Sequence, residues 1–104
     1  MNFSVTKDGK PLDKSLYDWN EKNRTFSSNE NDLVLDFTDC YNVTFKTSHN
    51  CTFKTEDNCT FDTGYDCTFN VWSNCKFTTR KNCVIINKNN KEIIRLNNDK
   101  IKGK

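Results

Sequence analysis

One eight-residue unit is repeated seven times over residues 35–90, and this short period limits the fold more than any other feature of the chain. In register the units read LDFTDCYN, VTFKTSHN, CTFKTEDN, CTFDTGYD, CTFNVWSN, CKFTTRKN and CVIINKNN. The first position holds Leu, Val or Cys: Leu35, Val43, Cys51, Cys59, Cys67, Cys75 and Cys83. The third position holds a large apolar residue: Phe37, Phe45, Phe53, Phe61, Phe69, Phe77 and Ile85. The eighth position holds Asn or Asp: Asn42, Asn50, Asn58, Asp66, Asn74, Asn82 and Asn90.

Each unit has the pattern of a short strand followed by a corner. Apolar residues at positions 1 and 3 alternate with polar residues at positions 2 and 4, which is the period of a strand with one buried face. Threonine, whose branched side chain favours strands, is frequent at positions 2 and 5. The last three positions are mostly polar and end in Asn or Asp, which tolerate the left-handed backbone of tight turns. The unit therefore predicts five strand residues and three corner residues.

Stacking of these units predicts an all-β protein, a single-chain parallel β-solenoid. With two units in each coil, alternate units lie in register about 4.8 Å apart. One ladder then contains Phe37, Phe53, Phe69 and Ile85, and the facing ladder contains Phe45, Phe61 and Phe77. Three units per coil, an antiparallel meander and an intertwined trimer are the alternatives. The meander would leave the Phe face uncovered, and the trimer repeat depends on Val and Gly at fixed places, whereas this repeat contains only Gly64.

The segments on either side of the repeat are predicted to cap the solenoid, whose open ends would otherwise pair with other chains. Residues 1–34 form the predicted N-terminal cap of two hairpins, one turning at Asp8-Gly9 and one at Glu21-Lys22-Asn23. Residues 91–104 form the predicted basic C-terminal cap. Its elements are a strand from Glu92 to Leu96, a turn at Asn97-Asn98-Asp99 and a short strand around Ile101.

The composition of the chain limits where in the cell the protein is expected. The chain has no run of 18 apolar residues that could span a membrane, and its N-terminus lacks the apolar segment of a secretory signal. A cytosolic protein is therefore expected. The formal net charge of +2 neither requires nor excludes nucleic acid, and a solvated face is the preferred interpretation of the basic residues. Direct nucleic-acid binding is not expected.

Cysteine usage favours core residues over cross-links. Five of the six cysteines occupy the repeat position where Leu35 and Val43 also stand, so buried free thiols are expected there, and Cys40 is off register near a turn. A disulfide scaffold is the alternative. Zinc sites use closely spaced Cys pairs or Cys and His clusters, and a spacing of eight with one His49 provides neither. No metal or other cofactor is expected.

The string N-C-T-F-x-T, at residues 50–55 and 58–63, resembles the octapeptide repeat of proteins encoded by bacteriophages and prophages, often described as pentapeptide-repeat-like. The flanks are also similar: Tyr17-Asp18-Trp19-Asn20-Glu21, Thr25-Phe26-Ser27-Ser28, Asn82-Cys83-Val84-Ile85-Ile86 and Lys100-Ile101-Lys102-Gly103. This chain departs from the family in having few repeats and a single glycine, Gly64, at position 6. The resemblance implies a phage origin, a β-solenoid and no catalytic residues.

Side chains suited to catalysis are not grouped in the sequence. His49 is predicted to be a solvated corner residue, and the cysteines lie on the buried face, where thiols are unreactive. The repeat carboxylates are spread over different units: Asp36, Asp39, Glu56, Asp57, Asp62 and Asp66. The sequence therefore predicts a protein that is not an enzyme.

Large side chains at the corners are the candidates for binding another protein: Tyr41, Tyr65, Trp72, Arg80 and Lys81. Packing against a cap or a neighbouring corner is the alternative interpretation. A coil of sixteen residues places Tyr65 with Arg80 on one edge and Trp72 on the opposite edge, toward Tyr41.

Two functional hypotheses follow from the phage resemblance and the candidate corners. The first is a phage-encoded protein-binding module in the host cytoplasm. It would act as a counter-defence, anti-CRISPR-like inhibitor that occupies a host protein, such as a nucleic-acid-processing defence complex. The alternative is a structural or assembly component of the virion.

Overall fold

The computed structural model describes residues 3–96 and 101–102 and confirms the all-β prediction. Its strands are β1 (Ser4–Lys7), β2 (Lys10–Pro11), β3 (Asp18–Asn20), β4 (Thr25–Ser27), β5 (Leu33–Asp36), β6 (Thr44–Lys46), β7 (Thr52–Lys54), β8 (Thr60–Asp62), β9 (Thr68–Val71), β10 (Lys76–Thr79), β11 (Cys83–Asn87), β12 (Glu92–Leu96) and β13 (Ile101–Lys102). A short 3-10 helix spans Lys14–Leu16, and the Asp13 side chain caps it by accepting a hydrogen bond from the Ser15 N–H.

The strands form two sheets that face each other across the core. The long sheet has the order β12-β11-β9-β7-β5-β1-β2, and the short sheet has the order β13-β10-β8-β6-β4-β3. Pairing is parallel from β5 to β11 and from β4 to β10. Phe53 pairs with Phe69 and Phe61 with Phe77, an offset of sixteen residues. The fold is therefore a β-solenoid of about four turns with two repeat units in each coil.

Stacked phenylalanine rings fill the core between the sheets. Within the short-sheet ladder, the Phe61 ring lies parallel to Phe45 and Phe77, with centroids 5.1 and 5.0 Å apart. Across the core it meets Phe53 and Phe69 edge to face at 5.2 and 4.9 Å. Both arrangements are favourable for aromatic pairs and add about 0.5–1.5 kcal/mol each beyond the burial of area.

Left-handed residues close the corners, as the repeat predicts. The position-8 residues of six units have φ between 58° and 64°: Asn42, Asn50, Asn58, Asp66, Asn74 and Asn82. Asn and Asp accept this conformation more readily than other non-glycine residues. In the last unit Lys91, with φ 60°, takes the left-handed position in place of Asn90, because the chain there reverses into the antiparallel strand β12.

The first repeat unit is shifted by two residues from the predicted register. Leu35 pairs with Phe53, so the predicted place of Phe37 in that ladder is wrong. The Phe37 N–H donates to the Lys54 carbonyl at 2.8 Å, just as the Thr55 N–H one coil later donates to Asn70 at 3.0 Å. Phe37 therefore occupies position 5. A shift of two keeps Phe37 fully buried, since the strand period is two, and the following corner is two residues longer.

The solenoid also begins earlier than residue 35. Strand β4 pairs in parallel with β6, which places Phe26 opposite Phe45 in the short-sheet ladder. Phe26 is fully buried, and Phe37 meets its ring at 5.6 Å. Phe3 stacks on Phe37 with centroids 4.3 Å apart and also contacts Trp19 at 5.2 Å. The N-terminal cap thus closes the aromatic core with further rings.

Antiparallel strands end both sheets at both ends of the solenoid. At the N-terminal end β1 pairs with β5 and β2, and β3 pairs with β4, which gives the two predicted hairpins. At the C-terminal end β12 pairs with β11, and β13 pairs with β10. The predicted turn at residues 97–99 lies outside the described residues.

Replacing Thr55 with valine is expected to raise the free energy of unfolding by about 1 kcal/mol. The Thr55 side chain is buried, and its hydroxyl has no nitrogen or oxygen partner and meets only the Cys59 thiol, which is a weak hydrogen-bonding group. A buried hydroxyl without a good partner costs about 1–3 kcal/mol. Valine fits this place, since Val71 holds the same repeat position two units later. Urea denaturation measures the change, with the exposed Thr60→Val as control. A loss of stability in Thr55→Val alone would show that the hydroxyl is bonded in solution.

Candidate protein-binding edges

The corners stack into two edges of different chemistry. The corners after β5, β7 and β9 of the long sheet form the acidic edge, which consists of Asp39, Tyr41, Glu56, Asp57 and Trp72. The next corner on the same side, after β11, is basic and carries Lys88 and Lys91. Corners that follow short-sheet strands form the histidine edge, which consists of His49, Gly64, Tyr65, Arg80 and Lys81. The candidate residues predicted from sequence are therefore divided, with Tyr41 and Trp72 on one edge and Tyr65, Arg80 and Lys81 on the other.

Tyr65 is packed into the histidine edge. Its ring stacks on His49 with centroids 5.1 Å apart, and the Arg80 guanidinium carbon lies 5.8 Å from the ring centroid on a cation–π contact. The Tyr65 N–H donates to His49 Nδ1 at 2.8 Å, which requires a neutral imidazole with its proton on Nε2. Tyr65 therefore fits the alternative in which a corner aromatic packs on neighbouring corners. His49, predicted to be a solvated turn residue, is exposed but links two coils.

Gly64→Ala is expected to lower the free energy of unfolding by about 1–2 kcal/mol. A Cβ at residue 64 would lie 2.1 Å from His49 Nδ1, so the imidazole must rotate away and give up its bond to the Tyr65 N–H. In a His49→Ala background the same substitution should change stability by less than about 0.5 kcal/mol. This double-mutant cycle is measured by urea denaturation. Equal losses in the two backgrounds would mean that His49 is not the obstacle.

The acidic edge exposes two aromatic side chains. Tyr41 is 45% exposed and Trp72 is 38% exposed. The corners lie in register, because the Asn42 N–H donates to the Asp57 carbonyl at 3.2 Å and the Asn58 N–H donates to the Ser73 carbonyl at 3.0 Å. The corner that carries Glu56 and Asp57 therefore lies between the corner of Tyr41 and the corner of Trp72.

Backbone groups hold the carboxylates of the acidic edge. Glu56 Oε2 accepts from the Asp39 N–H at 3.1 Å, and Asp57 Oδ1 accepts from the Ser73 N–H at 2.7 Å. The charge of Glu56, together with desolvation and the charges of Asp39 and Asp57, raises the pKa of the Tyr41 phenol. In the sequence these carboxylates fall in different repeat units, which gives no direct sign that they lie together. The sixteen residues that separate Glu56 from Trp72 were the signal that they share an edge.

Basic residues lie at both ends of this edge: Arg24 lies one coil before Tyr41, and Lys88, whose N–H donates to the Val71 carbonyl at 2.8 Å, lies one coil after Trp72. The Arg24 guanidinium donates through Nε and Nη2 to the Tyr41 carbonyl, and Nη1 lies 3.8 Å from Glu21. The corners at residues 38–42, 56–58 and 72–74 contain three carboxylates and no Lys or Arg. Their surface is therefore negative, although the whole chain carries a formal charge of +2.

The repeat cysteines are core residues. All five are buried with free thiols, and Cys40 is buried as well. The thiols of Cys67, Cys75 and Cys83 donate to corner carbonyls at 3.5 Å. Contact with the thiol one coil earlier, together with burial, raises the pKa of Cys75 and Cys83. These two thiols are held protonated, which makes them poor nucleophiles.

Comparison of the chain with protein-family models, with curated proteins and with solved structures found no match. Within the described part of the chain, no helix is both long and apolar enough to cross a membrane. Among the same residues, no group of three or more His, Cys, Asp or Glu side chains is arranged to hold a metal ion.

Proposed function

We propose that this protein is a non-enzymatic protein-binding module that contacts its partner through the acidic edge. The proposal rests on the exposure of two aromatic side chains, Tyr41 and Trp72, on the same edge. Aromatic residues of this kind supply much of the binding energy at protein interfaces, about 2 kcal/mol or more each when they are central. Tyr65, by contrast, is packed between His49 and Arg80 and has less surface to offer.

A rigid support favours binding at this edge. Each corner is hydrogen-bonded to the next coil, and the strands that carry it belong to a continuous parallel sheet. Little backbone entropy is lost when such a surface meets a partner, so more of the contact energy remains as affinity. The acidic edge therefore differs from a flexible loop that must become ordered on binding.

The proposed partner is a host protein, and the proposed setting is the cytoplasm of a bacterium that carries the phage. The likeness of the repeat to phage octapeptide repeats supports this origin. Five buried free thiols suit a reducing compartment. Within that setting the module would inhibit by occupancy, as a counter-defence protein that covers part of a nucleic-acid-processing complex.

A structural role in the virion is the alternative outcome. Assemblies built by stacking solenoids end to end need strand edges that can pair with the next copy. Here three of the four outermost strands in the described part of the chain, β2, β3 and β13, have only two or three residues, and Pro11 in β2 cannot donate a backbone hydrogen bond. These features support a discrete module over a stacking component.

Affinity purification of the tagged 104-residue protein from infected host cells tests the proposal. A host enzyme recovered in stoichiometric amount, and lost with Trp72→Ala and Tyr41→Ala, is the expected result. Leu16→Ala removes an exposed apolar side chain away from the edge and should leave recovery unchanged. Recovery of virion proteins would favour the alternative, and recovery unaffected by either edge variant would remove the acidic edge from the proposal.

A further inference from the structure

We propose that the acidic edge recognises a basic segment of its partner, with one Arg or Lys side chain lying between the rings of Tyr41 and Trp72 and facing Glu56. This inference rests on the proposed function, because it names the partner chemistry for the same edge.

The spacing of the two rings suits one cation. Tyr41 lies in the corner one coil before Glu56, and Trp72 lies in the corner one coil after it. Coils of a solenoid are separated by about 4.8 Å, so the two aromatic side chains start about 10 Å apart along the axis. A cation midway between them can lie within about 6 Å of both rings, the distance over which cation–π attraction is significant.

The negative charge of the acidic edge also favours a basic segment as the partner. Asp39, Glu56 and Asp57 surround the Tyr41 side chain closely enough to raise its phenol pKa. Two cations lie near the edge: Arg24 already donates to the Tyr41 carbonyl, and Lys88 lies one coil beyond Trp72, outside the space between the two rings. An acidic or phosphate-bearing surface would be repelled here, whereas a basic segment gains attraction in binding and in the rate of encounter.

Preorganisation of the carboxylates favours an ordered contact over diffuse attraction. Backbone N–H groups hold one oxygen of Glu56 and one oxygen of Asp57. These side chains therefore lose little rotamer freedom when a cation binds. Arginine is the better fit of the two basic side chains, because its planar guanidinium both stacks on aromatic rings and pairs with a carboxylate.

Fluorescence anisotropy with the 104-residue protein and labelled peptides tests the inference. The probes are peptides of alternating Arg and Gly, Lys and Gly, or Glu and Gly, of equal length, and a single-stranded DNA. The Arg peptide is expected to bind most tightly, the Lys peptide less, and the Glu peptide and DNA weakly or not at all. Glu56→Gln and Trp72→Ala should each weaken the Arg peptide about tenfold or more.

Asp66→Asn is the matched control, since it removes the same charge from the opposite side of the solenoid. Asparagine holds that repeat position in the other six units, so the fold should not change. Less than a twofold effect on the Arg peptide is expected. Glu56→Gln keeps an oxygen for the Asp39 N–H, and circular dichroism with the urea midpoint checks that each variant is folded.

Three results would overturn the inference: an Arg peptide that does not bind, a DNA that binds more tightly, or an Asp66→Asn effect equal to that of Glu56→Gln. An equal effect of Asp66→Asn would show that the peptide is attracted by the overall charge of the protein and does not bind at a specific site. These outcomes are separable from failure of the proposed function. A host protein lost from the purification with Trp72→Ala but retained with Glu56→Gln would keep the binding module and reject its basic partner.

Discussion

Replacing Phe61 with alanine is expected to lower the free energy of unfolding by about 3–5 kcal/mol. Phe61 is fully buried at the centre of the solenoid. Phe45 and Phe77 stack on its two faces, and Phe53 and Phe69 meet it from the facing ladder. Strands on both sides are fixed by ladder hydrogen bonds, so the cavity cannot collapse easily. The loss is a large share of the about 5–15 kcal/mol that stabilises a typical domain.

Urea denaturation followed by circular dichroism measures this change. Phe61→Leu keeps much of the buried volume and should lose less than half as much. Thr60→Ala, at the neighbouring exposed position of the same strand, should stay within about 0.5 kcal/mol of the original protein. A loss under about 1 kcal/mol for Phe61→Ala would mean that this ring does not fill the core in solution.

The central coils could be predicted from sequence because each local signal agrees with the others. Phe45, Phe61 and Phe77 share a position, and the following Asn or Asp supplies the backbone turn that returns the chain to the next strand. Period two, the turn residue and the fixed spacing all specify one register. Such agreement between local and overall preference is what makes a repeat fold predictable.

The first coil could not be placed from the same pattern. Leu33, Leu35 and Phe37 alternate with polar or exposed residues, so two registers bury the same face. The sequence Asp36-Phe37-Thr38 is similar to the Thr-Phe-Lys of later units, and this similarity favours the wrong register. What decides between them is packing against the N-terminal cap, where Phe3 stacks on Phe37. Contacts between segments distant in sequence leave no periodic signal.

The two edges were partly predictable. The sixteen-residue coil follows from the repeat, and it places Tyr65 near Arg80 and Trp72 on the edge of Tyr41. The bond from the Tyr65 N–H to His49 was missed, because a single corner histidine gives no sign of its partner. Gly64 was the available signal, since a missing side chain beside a stacked corner leaves room for an imidazole ring.

Deleting one whole coil, Cys59–Asn74, is expected to leave a folded and cooperative protein of lower stability. The cut joins Asn58 to Cys75, which stands at the same repeat position in the same sheet as Cys59. Phe77 would then stack on Phe45 and Ile85 on Phe53, and both caps would keep their neighbours. Solenoid stability is close to a sum over coils and their interfaces. Sixteen of 104 residues are lost, so the urea m-value should fall by about 15%.

Deleting one residue more, Cys59–Cys75, is expected to abolish cooperative unfolding, although the two chains differ by a single cysteine. Lys76 would follow Asn58 directly and take the inward first position, which turns Phe77 to the outside. The strand can keep Phe77 inside only by closing its corner with two residues, whereas every other corner between repeat units has three or more. The first arrangement buries the charge of Lys76 beside the Phe45 ring, and the second breaks the turn that leads into the strand. Circular dichroism and urea denaturation of the two deletions, compared side by side, measure the difference. Equal stability of the two chains would mean that the inward phenylalanines do not set the register of the strands. The assignment of these rings to the solenoid core would then be wrong.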